Sequence, residues 1–388
     1  MPTKGDDPPL PALYYSDAMG NAITLDRARW LGFRWRGHGL ERRSREGTPD
    51  DLLLLGFQDG RQADARRALI QRTGTVGSAS VAEAVSPGGP LVSMWSVRGA
   101  PHAHRLADLD LLRDALAPRE SDEGGAAWVR AVDEVAAALR AVVTGPTPKP
   151  EASREVNGRV PASLVNRCER CDADHVPDAL FRAGGCRARL VVGPGDQRVT
   201  MLYPVPDAPR GERQERQDRD GDPRLTLLRA YLRVNGPASR ALFRDWMGSD
   251  TAAVAGLWRE LGEDLVRVRV GDRPYDLPES LLDEVRRAPA PEGVVLVPPH
   301  DPYLRQADRN LLVPDPGRRR QVWRALSGPG ALLVDGEVAG TWRYRRQERE
   351  LTVTLFDGLA PARRAEAEDS ARLVAEATGD EAPKVVWD

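Results

Sequence analysis

The sequence predicts an α+β protein: tandem winged-helix domains followed by a C-terminal β-barrel-like domain. Three observations point there. Residues 225–261 read as three helices, and a hairpin across Gly271-Asp272 follows them. Residues 24–97 repeat helices followed by a strand in a looser form. From Val294 onward, short apolar runs separated by turns replace most of the helical periodicity.

Taken in order, residues 1–21 are rich in Pro and Asp and read as a disordered tail. Thr24 reads as the N-cap of a helix reaching Gly37, with Leu25, Ala28, Leu31 and Trp35 on one face. Thr48-Pro49-Asp50-Asp51 is a stronger start. It supplies a cap, a proline at the first helical position and two carboxylates against the positive helix end. That helix should run through 52–57 and stop near Gly60. A further helix over 63–72, a helical turn at 80–85 and a strand at 91–97 complete a first winged-helix domain, 22–105.

A second helical or winged-helix domain, 106–210, contains helices at 108–117 and 126–143. The break Gly145-Pro146-Thr147-Pro148-Lys149-Pro150 follows, then short helices at 162–166 and 177–183 and strands at 187–192 and 199–203. Residues 211–223 have no apolar side chain apart from proline and read as a linker or exposed loop. The third winged-helix domain, 224–290, places helices at 225–234, 239–247 and 251–261, the last capped by Ser249 and carrying Val254, Leu257, Trp258 and Leu261 on one face. Strands at 265–270 and 274–277 form its wing. In the C-terminal domain, 291–388, strands are expected at 294–297, 331–334, 337–342 and 350–355. A basic helix at 318–326 and a terminal amphipathic helix at 361–378 accompany them.

A chain of 388 residues that is 41% hydrophobic can build several cores. The net charge of −2 gives no overall preference for a polyanion. Lysine occurs only at 4, 149 and 384, so the cations are nearly all arginine. The N-terminus lacks the apolar stretch of a signal peptide, and no apolar run is long enough to span a bilayer. Three cysteines do not make a disulfide framework. A cytoplasmic, nucleoid-associated monomer is the expectation.

Four constellations carry chemistry. Cys168-x2-Cys171-x3-His175, with Cys186 further on, has the ligand types of a tetrahedral structural zinc site. Arg34 and Arg36 belong to a run, Arg27–Arg45, interleaved with Trp30, Phe33 and Trp35. Arg318, Arg319, Arg320 and Arg324 surround Trp323 in a second cluster, and Arg343–Arg349 follow Trp342 in a third. Cations interleaved with aromatics suit phosphate neutralisation and stacking on bases. The helix expected to read the major groove, 251–261, has Arg259 as its sole cation, so Arg267 and Arg269 of the wing are the better DNA contacts. No Ser/His/Asp nucleophile order and no phosphate-binding glycine loop is present.

The order of these elements, with Gln58-Asp59-Gly60-Arg61-Gln62, Arg98-Gly99-Ala100-Pro101-His102 and Pro299-His300-Asp301-Pro302-Tyr303, resembles the AlkZ/YcaQ family of bacterial winged-helix DNA glycosylases. The resemblance spans about Ile23 to Gly379. It implies double-stranded DNA as partner, excision of N-alkylated purines or crosslinked bases, and no metal or other cofactor in catalysis. The family's catalytic triplet is Gln, an apolar residue, then Gln or Asp. Here Gln58 matches the first position, Asp59 stands in the apolar position and Gly60 in the third. The resemblance therefore implies catalysis by Gln58 with Asp59 or Gln62, and DNA contacts from Arg61, Arg98 and His102. The altered triplet also fits a catalytically silent winged-helix DNA-binding or regulatory protein. In plain structural terms Asp59 would cap the next helix. The Pro299–Tyr303 loop should pack the last domain onto the first, with Asp301 near the cleft.

Overall fold

The computed structural model describes residues 23–41, 48–60, 63–73, 78–122, 124–194, 199–205, 221–306, 308–325 and 327–388. The expected tail, most of the expected linker, and Arg61 and Gln62 lie outside the described residues. Among the described residues the chain is mixed α and β, with helices and four separate sheets.

The N-terminal segment differs from its expected form. Ile23–Leu25 is a strand, and Asp26 replaces Thr24 as the cap, its side chain accepting from the Ala28 N–H at 3.2 Å. That strand pairs in parallel with Leu265–Val270, which pairs antiparallel with Arg273–Pro278. Its helix, Arg27–Gly37, packs Trp30, Phe33 and Trp35 into a core shared with Tyr275, Val297 and Tyr303. Sheet pairing and core thus join residues 23–37 to the chain beyond 265, not to the remainder of 22–105.

Helix Asp50–Leu55 stops at Gly56, earlier than expected, and Phe57–Gln58 becomes a strand. A six-stranded sheet follows, ordered Phe57–Gln58, Pro101–Arg105, Leu91–Trp95, Leu190–Pro194, Thr200–Pro204 and Thr147–Pro148. It draws strands from both 22–105 and 106–210. Pro101–Arg105 was not expected as a strand, because Pro at its start and two histidines within it break the usual apolar alternation. Helix Lys149–Asn157 was also not expected, since Pro150 reads as a breaker; it sits in the first turn, where a missing N–H costs nothing.

Over 224–290 the expected order holds. Helices Pro223–Asn235, Arg240–Met247 and Thr251–Leu261 precede the hairpin. Asp250, not Ser249, caps the third, accepting from the Ala253 N–H at 2.8 Å. The C-terminal strands form an open five-stranded sheet, not a barrel. Its edges are Val294–Val297 and an additional strand, Lys384–Trp387, which joins Glu350–Leu355 in parallel. Helix Pro361–Glu376 covers one face, burying Ala367, Ala371 and Val374 against Leu296 and Leu351.

Two adjacent contacts fix the C-terminal sheet to the site-bearing half. Arg72, on helix Asp64–Thr73, is fully buried and forms two parallel bonds to Asp301, Nη1–Oδ2 and Nη2–Oδ1, each 2.8 Å. Its Nε donates to the His38 carbonyl at 2.7 Å, and Nη1 also donates to Ala68. Gln71, next to it, exchanges bonds with Ser370: Nε2 to the Ser370 carbonyl at 2.8 Å and the Ser370 hydroxyl to Oε1 at 2.7 Å. The loop thus docks the halves as expected, but Asp301 lies under the packing, not beside a cleft.

Removing one member of a dry ion pair strands the other. Asp301→Ala should cost about 3–5 kcal/mol, read from urea unfolding curves. A loss of under about 1 kcal/mol, the level of an exposed pair, would refute the role assigned to Asp301.

Candidate active site

Gly56 carries φ 83° and ψ 164°, a backbone shape open to glycine. A Cβ at this position would lie 2.2 Å from Cε1 of His104. The glycine therefore ends the helix, admits an imidazole against the backbone and turns the chain into the strand Phe57–Gln58. That strand pairs antiparallel with Pro101–Arg105, setting Gln58 opposite His102 and Phe57 opposite Ala103. Directly opposed side chains share a sheet face with Cβ atoms about 4.5–5.5 Å apart. Gln58 and His102 are therefore neighbours. The Gln58 Oε1 is buried and has no hydrogen-bond partner among the described residues.

The histidines are held in one tautomer. A carbonyl only accepts, so the His104 Nδ1, 3.1 Å from the Leu54 carbonyl, carries its proton. Its Nε2 then accepts from the Ser96 hydroxyl at 3.0 Å. The His102 Nδ1 donates to the Ala100 carbonyl at 2.9 Å and lies 3.2 Å from the same hydroxyl. This leaves the His102 Nε2 as an unprotonated acceptor. Burial, His104, Arg98 and Arg305 all hold the His102 pKa well below the usual histidine value, against the Ala100 bond. Burial brings His104 down to about 4, against its bonds to Leu54 and Leu53.

Asp59 takes a different part. Ser93 is registered with Ala103, so the pleat places Ser93 on the face opposite His102 and Gln58. The Asp59 Oδ2 accepts from the Ser93 hydroxyl at 2.8 Å, and Oδ1 from the Ala65 N–H at 3.4 Å at the start of helix Asp64–Thr73. Burial raises its pKa, opposed by those two bonds and by Arg66. Both carboxylate oxygens are engaged in fixing strand to helix, as the plain capping reading anticipates. Gly60 is exposed and offers no side chain.

Arg98 has a left-handed backbone, φ 57°, and its Nη1 donates to the Trp246 carbonyl. It packs on Gly248, where a Cβ would meet its Cγ at 2.9 Å. Burial, then the charge of Arg305, lowers its pKa to about 10, so it stays cationic at neutral pH. Arg305 is itself lowered by burial and by Arg309, while Arg309 lies over the Trp323 ring at 5.1 Å. Among the described residues none of Arg98, Arg305 and Arg309 is paired with a carboxylate. Sequence reading did not single out Arg305; its only local signal is its place just after the Pro299–Tyr303 motif. Beside Arg98 opens a cavity of about 560 Å³, lined among others by Trp95, Ser96, Arg182 and Met247.

The other expected DNA contacts divide. Arg34 is fully buried, bonded to both oxygens of Asp308 at 3.1 and 2.9 Å and packed over Trp30 and Tyr303. It holds the core and cannot reach DNA, a correction to its expected role. Arg36 is partly exposed between Glu41 and Glu284. Arg267 pairs with Asp276 at 2.7 Å, Arg269 donates to the Asp272 carbonyl, and Arg319 folds back on the Val313 and Pro314 carbonyls. Arg320 is exposed.

The Cys/His set is corrected in one member. Cys168, Cys171 and His175 place their ligand atoms within 4.8 Å of one another. Cys186 is buried in helix Asp178–Arg187, outside that group, and burial pushes its thiol up to about 12.

The neutral histidines tie stability to pH. Their folded pKa lies below the unfolded value of 6.5, so the unfolded chain binds protons that the folded one refuses. Stability is complete above 6.5 and should fall as the pH drops from there toward about 4. Unfolding curves across this window should show the fall, and His104→Gln should flatten it; an unchanged slope would contradict a neutral His104.

No curated protein matches this chain. Among solved structures, Streptomyces sahachiroi DNA glycosylase AlkZ is similar in fold, with a TM-score of 0.71, 20% sequence identity, and coverage of 94% of this chain and 100% of that one. In sequence, residues 50–377 match the family of AlkZ-like DNA glycosylases. This stretch includes Gln58, Arg98, His102 and Asp301, and by it the chain belongs to the AlkZ-like DNA glycosylase family.

Proposed function

We propose that the protein is a monofunctional DNA glycosylase, removing N-alkylated purines or crosslinked bases from duplex DNA. The observation that carries this reading is the pairing of Gln58 with His102 across adjacent strands. The Gln58 Oε1 and the His102 Nε2 are both acceptors. Two adjacent acceptors can hold one water by its two hydrogens and leave its oxygen lone pair directed outward. In hydrolysis that oxygen bonds to the sugar C1′ as the C1′–N bond breaks. The electron pair leaves with the base, and the water proton passes to His102. A purine alkylated at a ring nitrogen such as N7 is already cationic, so it departs readily and a weak base suffices. On this reading His102 acts in the chemistry, Asp59 positions the strand, and no metal takes part. Arg98, Arg305 and Arg309 supply cations for the DNA backbone, in line with their lack of acidic partners. The winged-helix reading of 224–290 belongs to the same proposal.

The engagement of Asp59 by Ser93 and Ala65, with glycine at 60, favours a second reading: a silent family member that binds DNA without cutting.

Incubation with duplex carrying 7-methylguanine separates the two. Alkali-revealed breaks should appear and fall about a hundredfold or more in Gln58→Ala, with duplex affinity kept. Binding without abasic product would establish the silent reading instead. Arg305→Ala should weaken binding to all sequences and lower the slope of log affinity against log salt by about 1. An unchanged slope would remove Arg305 from the DNA surface.

A further inference from the structure

We propose that the hairpin Asn166–His175 is a zinc-binding knuckle with three protein ligands, Cys168 Sγ, Cys171 Sγ and His175 Nε2, and a fourth position open to solvent.

The geometry is close to that of a bound ion. The three ligand atoms lie within 4.8 Å of one another. Around tetrahedral zinc they would stand roughly 3.5–3.8 Å apart, so modest side-chain rotation closes the site. The ligands are also oriented. The His175 Nδ1 donates to the Val176 carbonyl at 2.8 Å, which leaves Nε2 as the electron-pair donor. Outer bonds of this type fix the tautomer of metal-bound histidines. Asn157 clamps the hairpin base, donating to the Asp174 carbonyl at 2.8 Å and accepting from the Val176 N–H at 3.1 Å. Asp172 adopts φ 50° in the turn between the two strands.

Independent support comes from what the hairpin lacks. Strands Asn166–Cys168 and Ala173–His175 form a separate two-stranded sheet whose residues are exposed or half-buried. An isolated hairpin is marginal in water, and this one has no apolar face to bury. Its ion pairs, such as Arg167–Asp172, are exposed and contribute little. A metal supplies the missing cross-link, since ligation energy acts as folding energy in small elements of this kind.

Two thiolates and an imidazole favour zinc over harder cations. Both cysteines would bind as thiolates, and the two negative charges balance the dication. No carboxylate of the described residues joins the group, which leaves the fourth position to water. The knuckle precedes helix Asp178–Arg187, whose Arg182 donates to the Gly99 carbonyl beside Arg98, so the ion would steady that helix from its start. This proposal is independent of whether the chain cleaves DNA.

The test uses the full-length protein, purified under reduction, stripped of metal and titrated with cobalt(II). One equivalent should give thiolate-to-cobalt charge-transfer absorption, displaced by zinc. The bands should vanish in Cys171→Ser and in His175→Ala and persist in Cys186→Ser. Circular dichroism of each variant should match the parent, and amide exchange over 166–176 should slow when zinc is added. Absence of the bands in folded parent protein would overturn the proposal. So would their persistence in a Cys168→Ser/Cys171→Ser double variant, or recovery of the two thiols only as a mutual disulfide that takes no metal.

Discussion

The pairing of Arg72 with Asp301 is the constraint on which the remaining architecture rests. Two full charges lie out of water, and neither is tolerable there alone. Every guanidinium nitrogen of Arg72 donates a bond: Nε to His38, Nη1 to Ala68 and Asp301, Nη2 to Asp301. Through those bonds one side chain fixes the end of the N-terminal helix, its own helix and the turn at Asp301. The same guanidinium lies 5.1 Å over the ring of Phe57, the residue before Gln58. The placement of the candidate water-holding glutamine is thus set by a charge pair that itself never meets solvent.

The site is built from acceptors and neutral rings more than from acids. His104 and His102 share the Ser96 hydroxyl, and each is pinned to a main-chain carbonyl. Burial keeps both uncharged, while Arg98 and Arg305 add positive charge near His102. On the proposed glycosylase reading, a cationic approach to a neutral, electron-rich pair suits a polyanion whose reacting carbon becomes positive. The position of Asp59 follows the same economy. Its carboxylate holds Ser93 and the helix Asp64–Thr73, so the amide of Gln58 faces the other side of the sheet with His102.

Much of the helical frame was legible from periodicity and caps, as at Thr251–Leu261, where four apolar residues share one stripe. The hairpin Leu265–Val270 with Arg273–Pro278 was legible from Gly271-Asp272. Strands whose partners lie far off were not. Pro101–Arg105 carries histidines inward because Gly56 makes room for one of them, and no local pattern encodes that vacated space. Arg34 shows the reverse difficulty. It stands in an arginine-rich run that suits DNA, yet its partner Asp308 is 274 residues away and draws it inside. Of the site, the motif residues Gln58, Arg98 and His102 were visible, while Arg305 and the burial of Cys186 away from the other cysteines required three dimensions.

The strand Ile23–Leu25 has a consequence for how the chain is made. Among the described residues its strand partner is Leu265–Val270, in parallel, across some 240 intervening residues. On a ribosome, this segment emerges about 240 residues before its partner and must wait for it. The helix beside it, with Trp30, Phe33 and Trp35, waits too, its aromatic face uncovered in the nascent chain. The interval between the two segments is therefore one in which the molecule needs chaperone cover.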